Sequence, residues 1–144
     1  MMIWLCLGIE SAEKKVLLEV TKGKFEQADV REIVEIVHDS GIEILANYVF
    51  GLPGDSLEGM QKTLDLSIDL CTVAWNAYPA MALPGSGLYS KAVSNGYELP
   101  KTYSGYSFHS YDTLPLPPKD LTAAQVLKFR DEAFTTYHTS KPFL

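Results

Sequence analysis

Three short, almost unbroken apolar runs set the terms for this chain. They are Ile3 to Ile9 (IWLCLGI), Ile42 to Phe50 (IEILANYVF) and Thr72 to Leu83 (TVAWNAYPAMAL), and stretches with helical spacing separate them. A strand covered on one face alternates apolar with polar residues, whereas one buried on both faces reads as a continuous apolar run. Buried strands alternating with helices predict an α/β fold: a parallel sheet with right-handed crossovers. Pro79 lacks the N–H that a ladder needs and predicts a break in the third run.

The intervening stretches supply the helices. Residues 11–20 place Val16, Leu17 and Val20 on one side. Within residues 25–41, Val30, Ile33, Val34 and Val37 recur at helical spacing, and Gly41 suits a left-handed helix end. Past a Gly-Leu-Pro-Gly turn, Asp55 or Ser56 can cap a helix. Asp55 and Glu58 have capping-box spacing, and Leu57, Met60, Leu64, Ile68 and Cys71 form the apolar stripe. Residues 84–96 read as a turn and a short helix. Residues 97–119, rich in Tyr, Ser and Pro, read as an extended surface segment. Thr122 with Gln125, and Leu121 with Val126, have the spacings of a capping box and a hydrophobic staple. They open a C-terminal helix whose stripe is Val126, Leu127, Ala133, Phe134 and Tyr137. The expected organisation is an α/β core over residues 1–96, with a loop and C-terminal helix over 97–144 packed on it.

Charge and cysteine usage narrow the function classes. Lys and Arg total 12 against 18 Asp and Glu, a net charge of −6 in 144 residues. An acidic chain without a basic block argues against a nucleic-acid partner. Lys14, Lys15, Lys22 and Lys24, the densest basic group, read as a solvated face. No stretch reaches the roughly 20 apolar residues of a membrane helix. The apolar start lacks a basic leader and a cleavage site, so it reads as a strand rather than a signal peptide. Cys6 and Cys71 fit neither a zinc nor an iron–sulfur spacing. Within apolar segments they are expected as buried free thiols, which suggests a cytoplasmic protein. His38, His109 and His138 are too scattered to suggest a metal set, and His38 and His138 suit helix C-termini.

In parallel α/β folds, sites lie at the C-terminal ends of the strands. Here those ends are Glu10-Ser11, Asn47 to Asp55, and Pro79 to Ser86. Glu10 and Ser11 can cap the following helix, or a carboxylate there can accept hydrogen bonds from ligand hydroxyls such as those of a ribose. Gly51 permits a tight turn and exposed N–H groups for an anion, but Asp55 and Ser56 can fill that role themselves. Asn47 is an amide inside an apolar strand, and it either ties down a neighbouring turn or faces a ligand.

Taken together, GIES, TKG, NYVFGLPGDSLE and YPAMALPGSGLY resemble, in order and spacing, the second half of a radical S-adenosylmethionine enzyme. The tail LPLPPKDLTAAQVLKFRDEAFTTY is similar to the region after the barrel in members with a cobalamin-binding domain, such as the anaerobic magnesium-protoporphyrin monomethyl ester cyclase group. The resemblance implies the last three strands of a partial (β/α)6 barrel. It implies Glu10, Ser11 and Asn47 near the cofactor ribose, Lys22 near the methionyl carboxylate, and Gly51 and Pro79 shaping the adenine and substrate sides. It also implies S-adenosylmethionine and a [4Fe–4S] cluster in the full-length protein, with cobalamin as a further candidate, and reductive cleavage to a deoxyadenosyl radical.

The family's C-x3-C-x2-C motif, which sits upstream of the matching region, is absent here. The expectation is a fragment, truncated product or subunit, inactive alone and binding no cofactor tightly. Its open sheet would be completed by the missing N-terminal half of the barrel or by self-association through strand edges. The rival is a standalone α/β binding or interaction module in which Glu10 and Asn47 are cap and tie residues. A small hydrolase is a weaker reading, because no G-x-S-x-G elbow is present.

Overall fold

A computed structural model describes residues 3–21 and 29–144. Three strands, β1 (Ile3–Glu10), β2 (Ile42–Phe50) and β3 (Ala74–Pro79), form one parallel sheet in the order β1-β2-β3. Helices α1 (Lys14–Thr21) and α2 (Val30–Asp39) lie between β1 and β2, and α3 (Leu57–Leu70) lies between β2 and β3. Helix α4 (Gly87–Ser94), a 3-10 turn (Tyr103–Tyr106) and α5 (Ala123–His138) follow. This is the parallel α/β architecture that the apolar runs require, and β3 stops at Pro79.

The core lies on one face of the sheet. Ile44, Ala46, Tyr48 and Phe50 of β2, with Trp75 and Ala77 of β3, are buried there against Val34 of α2, Met60 and Leu64 of α3, and Val126, Ala133 and Tyr137 of α5. The period of two along β2 meets the helical stripes, which is the basic layer rule for such domains. Asp29 caps α2 through Arg31 N and Glu32 N, and Gly41 beyond its end has φ +71°. Thr122 and Gln125 form the reciprocal capping box of α5.

Among the described residues, no helix covers most of the opposite face. Trp4, Cys6 and Gly8 are exposed on it, and Glu43, Leu45, Asn47, Asn76 and Tyr78 are half-buried. Toward the C-terminal rim it is covered, where Val49 packs with Val16, Leu52 and Ala80 and the ring of Phe108 lies 4.8 Å from that of Tyr78.

Several expectations change. β1 is not a fully buried strand: Ile3, Trp4 and Leu5 are exposed because β1 is a sheet edge and its start lies beyond the helices. Cys6 is a free thiol but an exposed one, for the same reason, and Cys71 is half-buried at the end of α3. Ser56, not Asp55, caps α3, and no Asp55–Glu58 box forms. Glu58 instead pairs with Lys62 one turn on, at 3.1 Å. Residues 97–119 are not wholly superficial. Thr113, Pro115 and Leu116 are buried, and Leu116 N donates to Ala80 O at 3.0 Å. Phe134, assigned to the buried stripe of α5, is 56% exposed.

Candidate functional site

The end of β1 is where the backbone departs from regularity. β1 and β2 run in register to Gly8↔Asn47, and then Glu10 pairs with Tyr48, so Ile9 is an extra residue. Ile9 lies in the core, and the pairing beyond it is shifted by one residue. Glu10 has φ +67°, and Ser11 N donates to Ile9 O at 2.9 Å, closing a three-residue turn around it. A non-glycine residue held there is strained, and such strain concentrates at functional positions.

The Glu10 side chain folds back along the sheet. A Cβ on Gly8 would stand 2.6 Å from Glu10 Oε1, so the carboxylate occupies the place a side chain at position 8 would fill. It is half-buried and has no hydrogen-bond or ion-pair partner among the described residues. Burial raises its pKa above the ordinary glutamate value. Asn47 lies beside Gly8 on the next strand, and Asn76 is the register partner of Asn47 on β3. Asn76 Nδ2 donates to Asn47 Oδ1 at 3.2 Å, and Asn47 Nδ2 donates to Cys6 Sγ at 2.9 Å. With strands about 4.8 Å apart, carboxylate, amide and amide form a polar row about 10 Å long across an open face. One amide N–H of Asn47, and both the carbonyl and one N–H of Asn76, are left for a ligand.

The other residues picked out from the sequence serve the scaffold. Ser11 is buried. Its Oγ accepts from Glu13 N at 3.1 Å and is hydrogen-bonded with Thr63 Oγ1 at 3.4 Å, which ties the start of α1 to α3. Of the two, Ser11 and not Glu10 holds the backbone leading into α1. Gly51 has φ +79°, and its N–H donates to buried Asp55 Oδ2 at 3.1 Å, so that N–H is committed within the turn. Asp55 Oδ1 also accepts from Ser56 N at 2.9 Å. Pro79 is buried at the end of β3. Lys22 lies outside the described residues. The structure thus brings Glu10 and Asn47 together and adds Asn76, which carries the same signal as Asn47, an amide inside an apolar run.

A [4Fe–4S] cluster does not fit this chain. There are two cysteines, on β1 and at the end of α3. Among the described residues no three His, Cys, Asp or Glu side chains converge as metal ligands. An alcohol-bearing ligand such as a ribose does fit, because an unpartnered half-buried carboxylate can accept two hydroxyl donors. Among the described residues no helix is long and apolar enough to cross a membrane.

The raised pKa of Glu10 gives a signed prediction. A carboxyl whose folded pKa lies above its unfolded value contributes stability that is complete below the unfolded pKa, about 4.3, and is lost as pH rises through the folded pKa. Glu10→Gln removes that loss. The variant is expected to match the parent in acid and to exceed it in stability at neutral pH, as read from urea midpoints across about pH 4–8. A gap that shrinks as pH rises would show that the carboxylate is stabilised by a partner.

No family model matches the chain. Over 86 residues it is 29% identical to an uncharacterized protein of Methanocaldococcus jannaschii, an alignment covering 60% of this chain and 26% of that protein. Over 131 residues it is 24% identical to an uncharacterized methyltransferase of Pyrococcus horikoshii, covering 91% of this chain and 28% of that protein. The chain thus spans about a quarter of the length of the curated relatives it matches.

Proposed function

We propose that this chain is the C-terminal part of a radical S-adenosylmethionine enzyme of the cobalamin-domain type, supplying part of the ribose and substrate side of its barrel. The observation that carries the reading is the Glu10 carboxylate. It is half-buried, without a partner among the described residues, and strained into place at the C-terminal end of β1 on the uncovered face. In this role Glu10 accepts hydrogen bonds from the ribose hydroxyls, and Asn47 and Asn76 continue the polar row toward the rest of the ligand. The remaining strands of the barrel cover the open face and the free edge of β1. Two supports come from outside the site. The matched relatives are about four times as long as the aligned part, and one of them is named a methyltransferase. Methyl transfer commonly uses S-adenosylmethionine as donor.

The test begins with the gene. Sequence upstream of Met1 should encode, in frame, a C-x3-C-x2-C motif about 100–150 residues earlier, a domain-sized interval. In that longer protein, Glu10→Gln should weaken S-adenosylmethionine binding by about 10–100-fold. This is the equivalent of the roughly 1.5–3 kcal/mol that hydrogen bonds to a charged acceptor contribute. The 144-residue chain alone should bind only weakly. Unchanged affinity in the longer Glu10→Gln protein, or micromolar binding by the short chain, would sink the reading.

The alternative, a standalone α/β binding module, draws on one observation: Asn47, Ser11 and Gly51 are all engaged by internal hydrogen bonds. It leaves the strain and burial of Glu10 without a purpose.

A further inference from the structure

We propose that the cavity along the outer edge of β3 is a binding site for a small aromatic or heteroaromatic carboxylate. Four consecutive strand residues, Trp75 to Tyr78, line it. Successive side chains point to opposite faces of a sheet, so four in a row can share one cavity only where it runs along the strand edge. The facing wall is α5, through Arg130, Asp131 and Phe134, with exposed His109 at the mouth. The cavity measures about 180 Å³. One of about 150 Å³ is known to hold a benzene ring. Two aromatic pairs in contact border it: Trp75 with Phe134, centroids 6.3 Å apart and tilted by 58°, and Tyr78 with His109, edge-on at 6.2 Å.

Arg130 selects the charge. Its side chain is only 16% exposed and is anchored by Nη1 donating to Phe108 O. Its Nε and Nη2 both donate to Asp131 Oδ1, at 2.8 and 2.7 Å. That edge of a guanidinium is the one that recognises carboxylates in parallel hydrogen bonds. Asp131 is the half of the pair that solvent reaches: its side chain is 68% exposed, so water can take it up when another carboxylate claims the guanidinium edge. A ligand carboxylate takes the place of Asp131 on Arg130, Asp131 turns to water, and the ring occupies the cavity that the two aromatic pairs border.

Benzoate is the probe, and benzamide is its neutral isostere. Titrating each into the 15N-labelled 144-residue chain up to about 10 mM, a range suited to so small a ligand, should give saturable shifts of the Trp75 indole and Tyr78 amide signals. Benzamide should bind at least about ten-fold more weakly, the ratio expected from loss of one charged hydrogen bond. Asp131→Ala frees the guanidinium edge and should tighten benzoate by about three-fold or more, because no internal carboxylate then competes for it. Arg130→Gln should abolish the difference between the two ligands. It also loses the anchor to Phe108, so Asp131→Ala, a surface change, is the deciding variant. Absence of benzoate binding, equal binding of benzamide, or unchanged or weaker benzoate binding by Asp131→Ala overturns the proposal.

Discussion

Replacing Trp75 by alanine is expected to lower the unfolding free energy by about 3–5 kcal/mol, the range for emptying a buried aromatic site. Trp75 is 5% exposed on the covered face of β3. Its ring stacks on Tyr137 of α5, with centroids 5.0 Å apart and planes 16° from parallel, and it meets Tyr48 at 6.2 Å. Tyr137 in turn donates its hydroxyl to Thr72 O at 2.8 Å, just before the strand begins. The pair therefore clamps the C-terminal helix to the sheet at both a ring face and a backbone carbonyl. A domain of this size has about 5–15 kcal/mol in total, so the loss is about a fifth of the stability or more. Trp75→Phe is the control. The indole N–H of Trp75 has no hydrogen-bond partner, so this change forfeits volume and no bond, and it should cost only about 1–2 kcal/mol. Urea unfolding followed by circular dichroism distinguishes the two. Equal costs would mean that the stack does not hold α5.

Which features were legible in the sequence follows from the physics of each. The α/β class and most element limits rest on local chemistry: the apolar period, the missing N–H of Pro79, a left-handed Gly41, and the capping box at Thr122. What an apolar run cannot show is which faces receive cover. All three large helices that reach the core went to one side of the sheet, so Cys6 and Trp4 are exposed in a run that reads as buried. Asp55 and Glu58 had the right spacing for a box. Asp55, however, is used by Gly51 N and Ser56 N, while Lys62 draws Glu58 at 3.1 Å and Glu13 at 2.9 Å. At the candidate site, Glu10 and Asn47 stood out as polar residues at the end of and within apolar strands. Asn76 carried the same mark unread, inside a run whose Pro79 drew the attention. The relation between Gly8 and Glu10 could not be read at all, because it depends on the bulge at Ile9.

Gly51→Ala is expected to cost about 2–5 kcal/mol, and the components can be separated. At φ +79° any side chain is strained, by about 1–2 kcal/mol. A Cβ there would also stand 2.8 and 3.0 Å from the two γ-carbons of Val126, and overpacking of a buried site adds about 1–3 kcal/mol. Val126 is fully buried in the first turn of α5, and a valine in a helix has essentially one rotamer, so it cannot swing aside. Gly85 supplies the comparison: its φ is +86°, but nothing lies within 4 Å of its would-be Cβ. Gly85→Ala should therefore lose only the backbone component, about 1–2 kcal/mol. The excess loss at Gly51 should largely vanish in a Val126→Ala background, giving a strongly non-additive double-mutant cycle in chemical denaturation. Additive losses would place the whole effect in the backbone. A non-additive result would make the Gly-Leu-Pro-Gly turn the seat on which the C-terminal helix begins, a structural role for the turn that its committed Gly51 N–H already serves.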